Sequence, residues 1–197
     1  MPNARVVLPI LLLLAGSLST ANEPRVASDG HVTVITYSAD DDADLPRLFA
    51  AVRQARRDLR RDWGWRLPGG VTIVVHPDLG SYSAATGMPW YVAGTADRAE
   101  QRIDLQRLRV LRERHSLEPT LRHELFHLAQ PDNWPRWRAE GAAMLFAGET
   151  PQAAPFADIS AAQLDDLLAA APDREALARA AATAYDRVLC QQQGRCP

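Results

Sequence analysis

No charge of one sign dominates this chain of 197 residues: 22 basic side chains stand against 24 acidic ones, a formal net charge of -2. It has no overall basic field to attract nucleic acid or anionic lipid, so nucleic acid is not expected among its partners. An apolar run long enough to cross a bilayer is missing as well. The run at residues 6–15 contains Pro9 and falls well short of the ~20 apolar residues that a spanning helix needs. Cysteine is scarce, with Cys190 and Cys196 alone, both near the C-terminal end. Their Cys-x5-Cys spacing has no partner donors beside it, which argues against a metal site built on thiolates. Internal repeats and linker-like stretches are also lacking, and 47% of the residues are hydrophobic, an ordinary composition for one globular domain.

What is present begins with a processing signal. Arg5 precedes the apolar run, and Ser19, Thr20 and Ala21 follow it in the spacing a signal peptidase accepts. Residues 1–21 are therefore expected to be a cleaved signal peptide and residues 22–197 the domain. The competing reading, a retained anchor, is disfavoured by the short run. The expected location is periplasmic or secreted, with no stable membrane anchor after cleavage. An exported chain meets an oxidising compartment, where Cys190 and Cys196 can bridge. So short a loop contributes only about 2 kcal/mol and would pin the tail rather than hold the domain together.

Along the chain, residues 22–30 are polar and loop-like, and residues 31–37 alternate as a strand does. Leu45, Leu48, Phe49, Val52, Leu59 and Trp63 then recur at helical spacing, with Gly64 at a stop position. The arginines of that segment read as its solvated face rather than an anion site. Pro68, Gly69 and Gly70 make a turn before residues 71–75, an apolar run typical of a buried strand. Residues 91–95 and 102–105 predict a hairpin. Helices follow at residues 119–130, ended by Pro131, and at 136–147 after a loop, then at 160–170 and 173–192 around Pro172. The class is α+β, with an N-terminal mixed sheet and hairpin followed by helices.

His123-Glu124-Leu125-Phe126-His127 is an H-E-x-x-H motif inside one of these helices. Four residues bring two imidazoles one turn apart on the same face, where they can share one ion. Glu124 leaves from nearly the same side, placed to act on a water rather than to hold the metal. A bare motif can also be two surface histidines on an amphipathic helix. Catalytic zinc takes three protein ligands, so another donor is needed. The metzincin extension is excluded because its positions hold Gln130 and Asn133. Glu140 is the better candidate, since the loop at 131–135 lets the next helix double back, and Gly141, Ala142 and Ala143 suit a close helix-to-helix approach. Asp132 is the fallback. His31, His76 and His115 read as strand-end or surface histidines.

HELFH followed by Pro135-Arg136-Trp137-Arg138-Ala139-Glu140-Gly141-Ala142-Ala143 resembles the gluzincin branch of the MA clan of metallopeptidases, in particular its short bacterial peptidase MA-like domains. The resemblance covers about residues 31–147. It implies a small thermolysin-like zincin domain, one zinc ion held by His123, His127 and Glu140, and hydrolysis of peptide or protein substrates with Glu124 as general base. Arg138 departs from the usually apolar residue at its position. The resemblance further implies a tyrosine of the C-terminal helices near the metal, which would be Tyr185 as an oxyanion stabiliser. A half-buried amphipathic tyrosine is the plainer account of it. An extended substrate is expected along Tyr91, Val92, Ala93, Gly94 and Thr95, added to a strand edge through main-chain bonds. The reading from another class is an exported zinc-binding or interaction module that cleaves nothing, for which an intact Glu124 has no use.

Overall fold

The structure, a computed structural model, describes residues 23–194. The expected signal segment, residues 1–21, lies outside the described residues.

The chain opens with strands β1 (Arg25–Ser28) and β2 (Val32–Thr36), joined by a tight turn in which Gly30 takes a φ of 84°. A 3-10 turn (Ala39–Asp44) leads into α1 (Leu45–Asp58), which continues as a π-helical turn to Trp63 and stops at left-handed Gly64. Strand β3 (Val71–Val75), helix α2 (Leu79–Thr86) and strands β4 (Gly94–Asp97) and β5 (Arg102–Leu105) follow. The rest is helical: α3 (Leu108–Glu113), α4 (Leu117–Ala129), α5 (Arg136–Ala147), α6 (Ala161–Ala170) and α7 (Arg174–Gln193). The fold is α+β, with an N-terminal mixed sheet and C-terminal helices, as the sequence indicates.

The sheet order is β1-β2-β3-β5-β4, in which β2, β3 and β5 run parallel and the two edges, β1 and β4, are antiparallel to their neighbours. The central strand β3 is buried almost throughout, and β2 alternates buried with half-buried residues. Val34, Ile73, Ile103 and Leu105 join Leu48 and Val52 of α1, Leu59 of the π-helical turn and Leu121, Leu125 and Phe126 of α4 in one core. Burial of an aliphatic side chain contributes roughly 1.5–3 kcal/mol, so this cluster is what fixes α4 against the sheet. A smaller cluster of Leu164, Leu168, Ala180 and Ala184 seats α6 and α7 on α5.

Several expectations need correction. Residues 25–28 are a strand rather than part of a loop: β1 is a mostly exposed edge held by its pairing to β2, so its side chains carry no apolar signal. Helix α2 was unforeseen because it has no apolar stripe. Only Tyr82 is buried, and the helix is set by its ends, with Asp78 accepting from the Ser81 amide at 2.7 Å and Gly87 closing it. The short α3 was missed for want of length. The first hairpin strand begins at Gly94, so Tyr91, Val92 and Ala93 precede it. The arginines of α1 that the sequence assigns to solvent are indeed mostly exposed. No helix among the described residues is long and apolar enough to cross a membrane. Cys190 lies in α7 and is not a free thiol; its expected partner Cys196 is outside the described residues.

Candidate metal centre

Helix α4 is capped by Gln130, whose extended ψ of 158° is what a residue before proline prefers. The loop at 131–135 reverses the chain, and α5 returns antiparallel to α4. This reversal brings Glu140 to the two histidines. Its Oε2 lies 3.3 Å from His123 Nε2 and 3.5 Å from His127 Nε2. One donor atom from each of the three residues falls within 4.8 Å of the others. Zinc bonds of about 2.0–2.2 Å in a tetrahedron separate neighbouring donors by roughly 3.3–3.6 Å, so the two Glu140 distances match the edges of such a site.

The outer ring nitrogens support the same assignment. His123 Nδ1 faces Glu149 Oε2 at 3.3 Å, and His127 Nδ1 faces Gln130 Oε1 at 3.2 Å. With Nδ1–H donated outward, each Nε2 keeps its lone pair for the centre, which is how ligand histidines are usually held. The donor set and the tautomers its partners favour both fit one zinc ion.

Without an ion these groups hold one another electrostatically. Burial alone would push the His123 imidazole down, but hydrogen bonds to Glu140 and Glu149 and their charges hold it well above the ordinary histidine range. Burial would raise Glu140, yet the charge of His127 and hydrogen bonds from both histidines keep its carboxyl well below the ordinary range. Glu124 is different. Burial raises it, the imidazoles oppose this, and the carboxylates of Glu140 and Glu149 add to it, leaving it above the usual carboxylate range. Its side chain has no hydrogen-bond partner among the described residues and lines the cleft beside the histidines.

That cleft has a volume of about 540 Å³. Its floor is α4 and α5, one wall is β4 with the loop before it, and the opposite wall comes from α6 and α7. Gly94 lets β4 descend onto α4, because a Cβ there would lie 2.8 Å from Leu105, 3.0 Å from Thr120 and 3.2 Å from Glu124. The close approach at Gly94 is therefore to α4. Gly141 has the same function on α5: a Cβ would come within 2.3 Å of the Ala184 carbonyl oxygen, so its close contact is with α7.

The expected substrate strand is only partly available. The carbonyls of Trp90 and Val92 accept from Gln106 Nε2 at 2.8 and 2.9 Å, and that of Ala93 accepts from the Gln106 amide at 3.1 Å. Val92 and Ala93 line the cleft with their main-chain acceptors already engaged, and Tyr91 contributes a side chain rather than a strand edge. Because Ala93 and Gln106 form a hydrogen-bonded pair, the alternation of an antiparallel ladder turns the free N–H and C=O groups of Gly94 and Ala96 outward. Thr95 lines the cleft but pairs inward with Asp104.

Other candidates fall elsewhere. Tyr185 is half-buried on α7 and is not among the cleft-lining residues, which on that helix are Leu177 and Ala181. Asp132 is exposed and paired with Arg98 at 2.6 Å. His31 and His115 are exposed, whereas His76 stands at the end of β3, buried and bonded to Asp104 at 2.6 Å, so of the two readings of it the strand-end one holds. Arg138 is exposed, and its guanidinium lies 4.3 Å over the Trp134 ring, a cation–π contact that seats the charge at the surface.

Glu149 and Gln130 were missed. Gln130 stands three residues after His127, a spacing that puts side chains on one helix face, so it was discoverable. Glu149 lies beyond the α5 cap at Gly148, and no local pattern marks it.

No protein-family profile, curated protein or solved structure matches this chain.

Proposed function

We propose that this protein is a zinc-dependent peptidase, exported from the cytoplasm, in which His123, His127 and Glu140 hold one zinc ion and Glu124 is the general base. The observation that carries the reading is the convergence of both Nε2 atoms on one Glu140 oxygen at 3.3 and 3.5 Å, with Glu124 unengaged beside them. A resident zinc ion supplies Lewis acidity, which polarises a carbonyl and eases deprotonation of water. Glu124 accepts the proton of the attacking water at a carboxylate oxygen and later delivers it to the leaving amine nitrogen. Gly94 and Ala96 orient an extended chain through their outward N–H and C=O groups. Export rests on the N-terminal apolar run and on the two C-terminal cysteines.

The test separates holding the metal from using it. Glu124→Gln leaves the three ligands in place, so bound zinc stays at the wild-type level while peptide hydrolysis falls by ~10²- to 10⁴-fold. Glu140→Ala leaves two protein ligands, and zinc content and hydrolysis fall together. Asp132→Ala changes neither. Zinc measured by elemental analysis and cleavage of a mixed peptide substrate decide the matter. Zinc binding without hydrolysis in the wild type would favour a non-catalytic binding module, and full zinc occupancy in Glu140→Ala would remove Glu140 from the site.

A further inference from the structure

The loop before β4 reaches across the cleft. Tyr91 Oη donates to the carbonyl of Ala171 at 2.8 Å, joining the β4 wall to the corner between α6 and α7. Next to it the guanidinium of Arg174 lies 5.9 Å from the Trp90 ring, so two neighbouring side chains meet the same corner.

Both abutments are fixed independently of the bridge. On one side Gln106, only 4% exposed, donates its side-chain amide to the carbonyls of Trp90 and Val92, and the Val92 amide closes a turn on Pro89. On the other, Ala171 caps α6 in a left-handed conformation, with φ 41° and ψ 53°, and Pro172 and the N-cap Asp173 start α7 at once. The bridge is thus a wall between rigid parts rather than a loose lid.

The opposite end of the cleft differs. There Arg98 bonds to the Gln130 carbonyl at 2.5 Å and to Asp132 at 2.6 Å, tying the β4 wall to the end of the floor helix and not to α6 or α7. A chain lying along Gly94 and Ala96 can leave past Arg98, but in the other direction it meets Tyr91. Gly94 abuts Glu124, and Tyr91 is three residues earlier, at most about 10 Å of extended chain.

We propose that the Tyr91–Ala171 bridge closes one end of the cleft, so that the substrate is a peptide whose chain ends there and the protein releases fragments of about one to three residues from that terminus rather than cutting in mid-chain. This rests on the peptidase reading and adds the substrate class to it.

Zinc-loaded wild type and Tyr91→Ala are each incubated with a mixture of linear peptides, and mass spectrometry locates the cuts. In the wild type the cuts fall within about three residues of one terminus, and which terminus is affected reveals the direction of the chain. In Tyr91→Ala internal cuts rise at least about tenfold, roughly the change expected for about 1.4 kcal/mol. Tyr91→Phe, which keeps the ring and loses only the donor, moves the same way to a smaller extent and serves if the alanine variant does not fold. Internal cuts by the wild type, or an unchanged cut pattern in both variants, would overturn the proposal. Immobilised zinc-loaded Glu124→Gln tests closure without catalysis. Retention of peptides with a free end over peptides carrying polyethylene glycol at both ends supports closure even if the wild type cuts nothing. Equal retention, or none, overturns it.

Discussion

On one side of α4, His123 and His127 stand half-buried in a cleft among three carboxylates, two of which lie beside imidazole nitrogens while Glu124 has no hydrogen-bond partner among the described residues. On the other side Arg122 is spent entirely on structure. Its guanidinium bonds to Asp58 of α1 at 2.8 Å and to the Phe146 carbonyl of α5 at 2.8 Å, and it lies 4.4 Å over the Phe146 ring. Gln54 and Arg61 complete the shell around Asp58. Adjacent residues of one helix thus do opposite work. The Arg122 face satisfies every strong donor and acceptor and locks three helices together. The histidine face leaves charge that is balanced only among its own members.

The sharpest break in that comparison is Arg122→Ala. It leaves the buried Asp58 carboxylate without its main partner and frees a helix-end carbonyl. Removing one member of such a pair costs about 3 kcal/mol, a fall of roughly 6–12 °C in Tm for a chain this size. Where the variant folds, its zinc affinity equals that of the wild type, because Arg122 touches none of the donor atoms. Thermal melts with chelator and zinc titrations check the two halves separately, and a large loss of zinc affinity in the folded variant would show that the faces are not independent.

The second break is on the metal side. Glu149→Ala removes the acceptor of the His123 Nδ1 proton, so the ring loses the partner that holds Nε2 toward Glu140. Loss of such a partner lowers metal affinity by about 10- to 100-fold. Glu149→Gln keeps an oxygen acceptor and recovers part of that affinity, which a purely structural role would not predict. Global stability in the presence of chelator changes by no more than about 1 kcal/mol, since the Glu149 carboxylate is partly solvated. Competition titrations against a zinc chelator measure the effect, and unchanged affinity in Glu149→Ala would strip it of this role.

The two faces also differ in how far the sequence reveals them. The pairing of His123 with His127 was legible because spacing within one helix decides which side chains meet, and their meeting with Glu140 because a proline-bounded loop forces the next helix back. The parallel strands β2 and β3 and the helices from α4 to α7 carried their own periodicity and breakers. What stayed hidden depends on contacts between distant segments. The Arg122–Asp58 pair spans 64 residues and the Tyr91–Ala171 bridge 80, and nothing local to Arg122 distinguishes it from the solvated arginines of α1. Residues 91–93 look like a strand by composition, yet the Gln106 side chain takes the carbonyls of Trp90 and Val92 and its amide takes that of Ala93, so the strand begins only at Gly94. Tyr185 carried a family-like neighbourhood without a cleft-facing position. Burial and pairing of this kind belong to the tertiary structure and have no signature in a sliding window.

The smallest effect concerns pH and isolates the metal face from its opposite. Burial opposes a charged carboxylate at Asp58, but the bonds from Arg122 and Gln54 prevail and depress its pKa. Its stabilisation is therefore present above the unfolded value of about 3.9 and is lost only as pH falls through the depressed value. Between pH 6 and 9 that face is silent. His123 behaves oppositely: its pKa is raised in the metal-free protein, so the stabilisation it gives is complete below the unfolded value near 6.5 and is lost as pH climbs through the raised one. Metal-free protein should thus lose Tm as pH rises across this window, by roughly 2–4 °C for each 1 kcal/mol withdrawn. Zinc reverses the slope. It competes with the proton for Nε2, so the stabilisation gained on adding zinc grows as the same proton leaves. Paired melts in chelator and in zinc, taken at half-unit steps, should diverge with rising pH. A flat chelator curve from pH 6.5 upward would mean that His123 is not held protonated by Glu140 and Glu149, and the electrostatic account of the histidine face would fail while the Arg122 face stood.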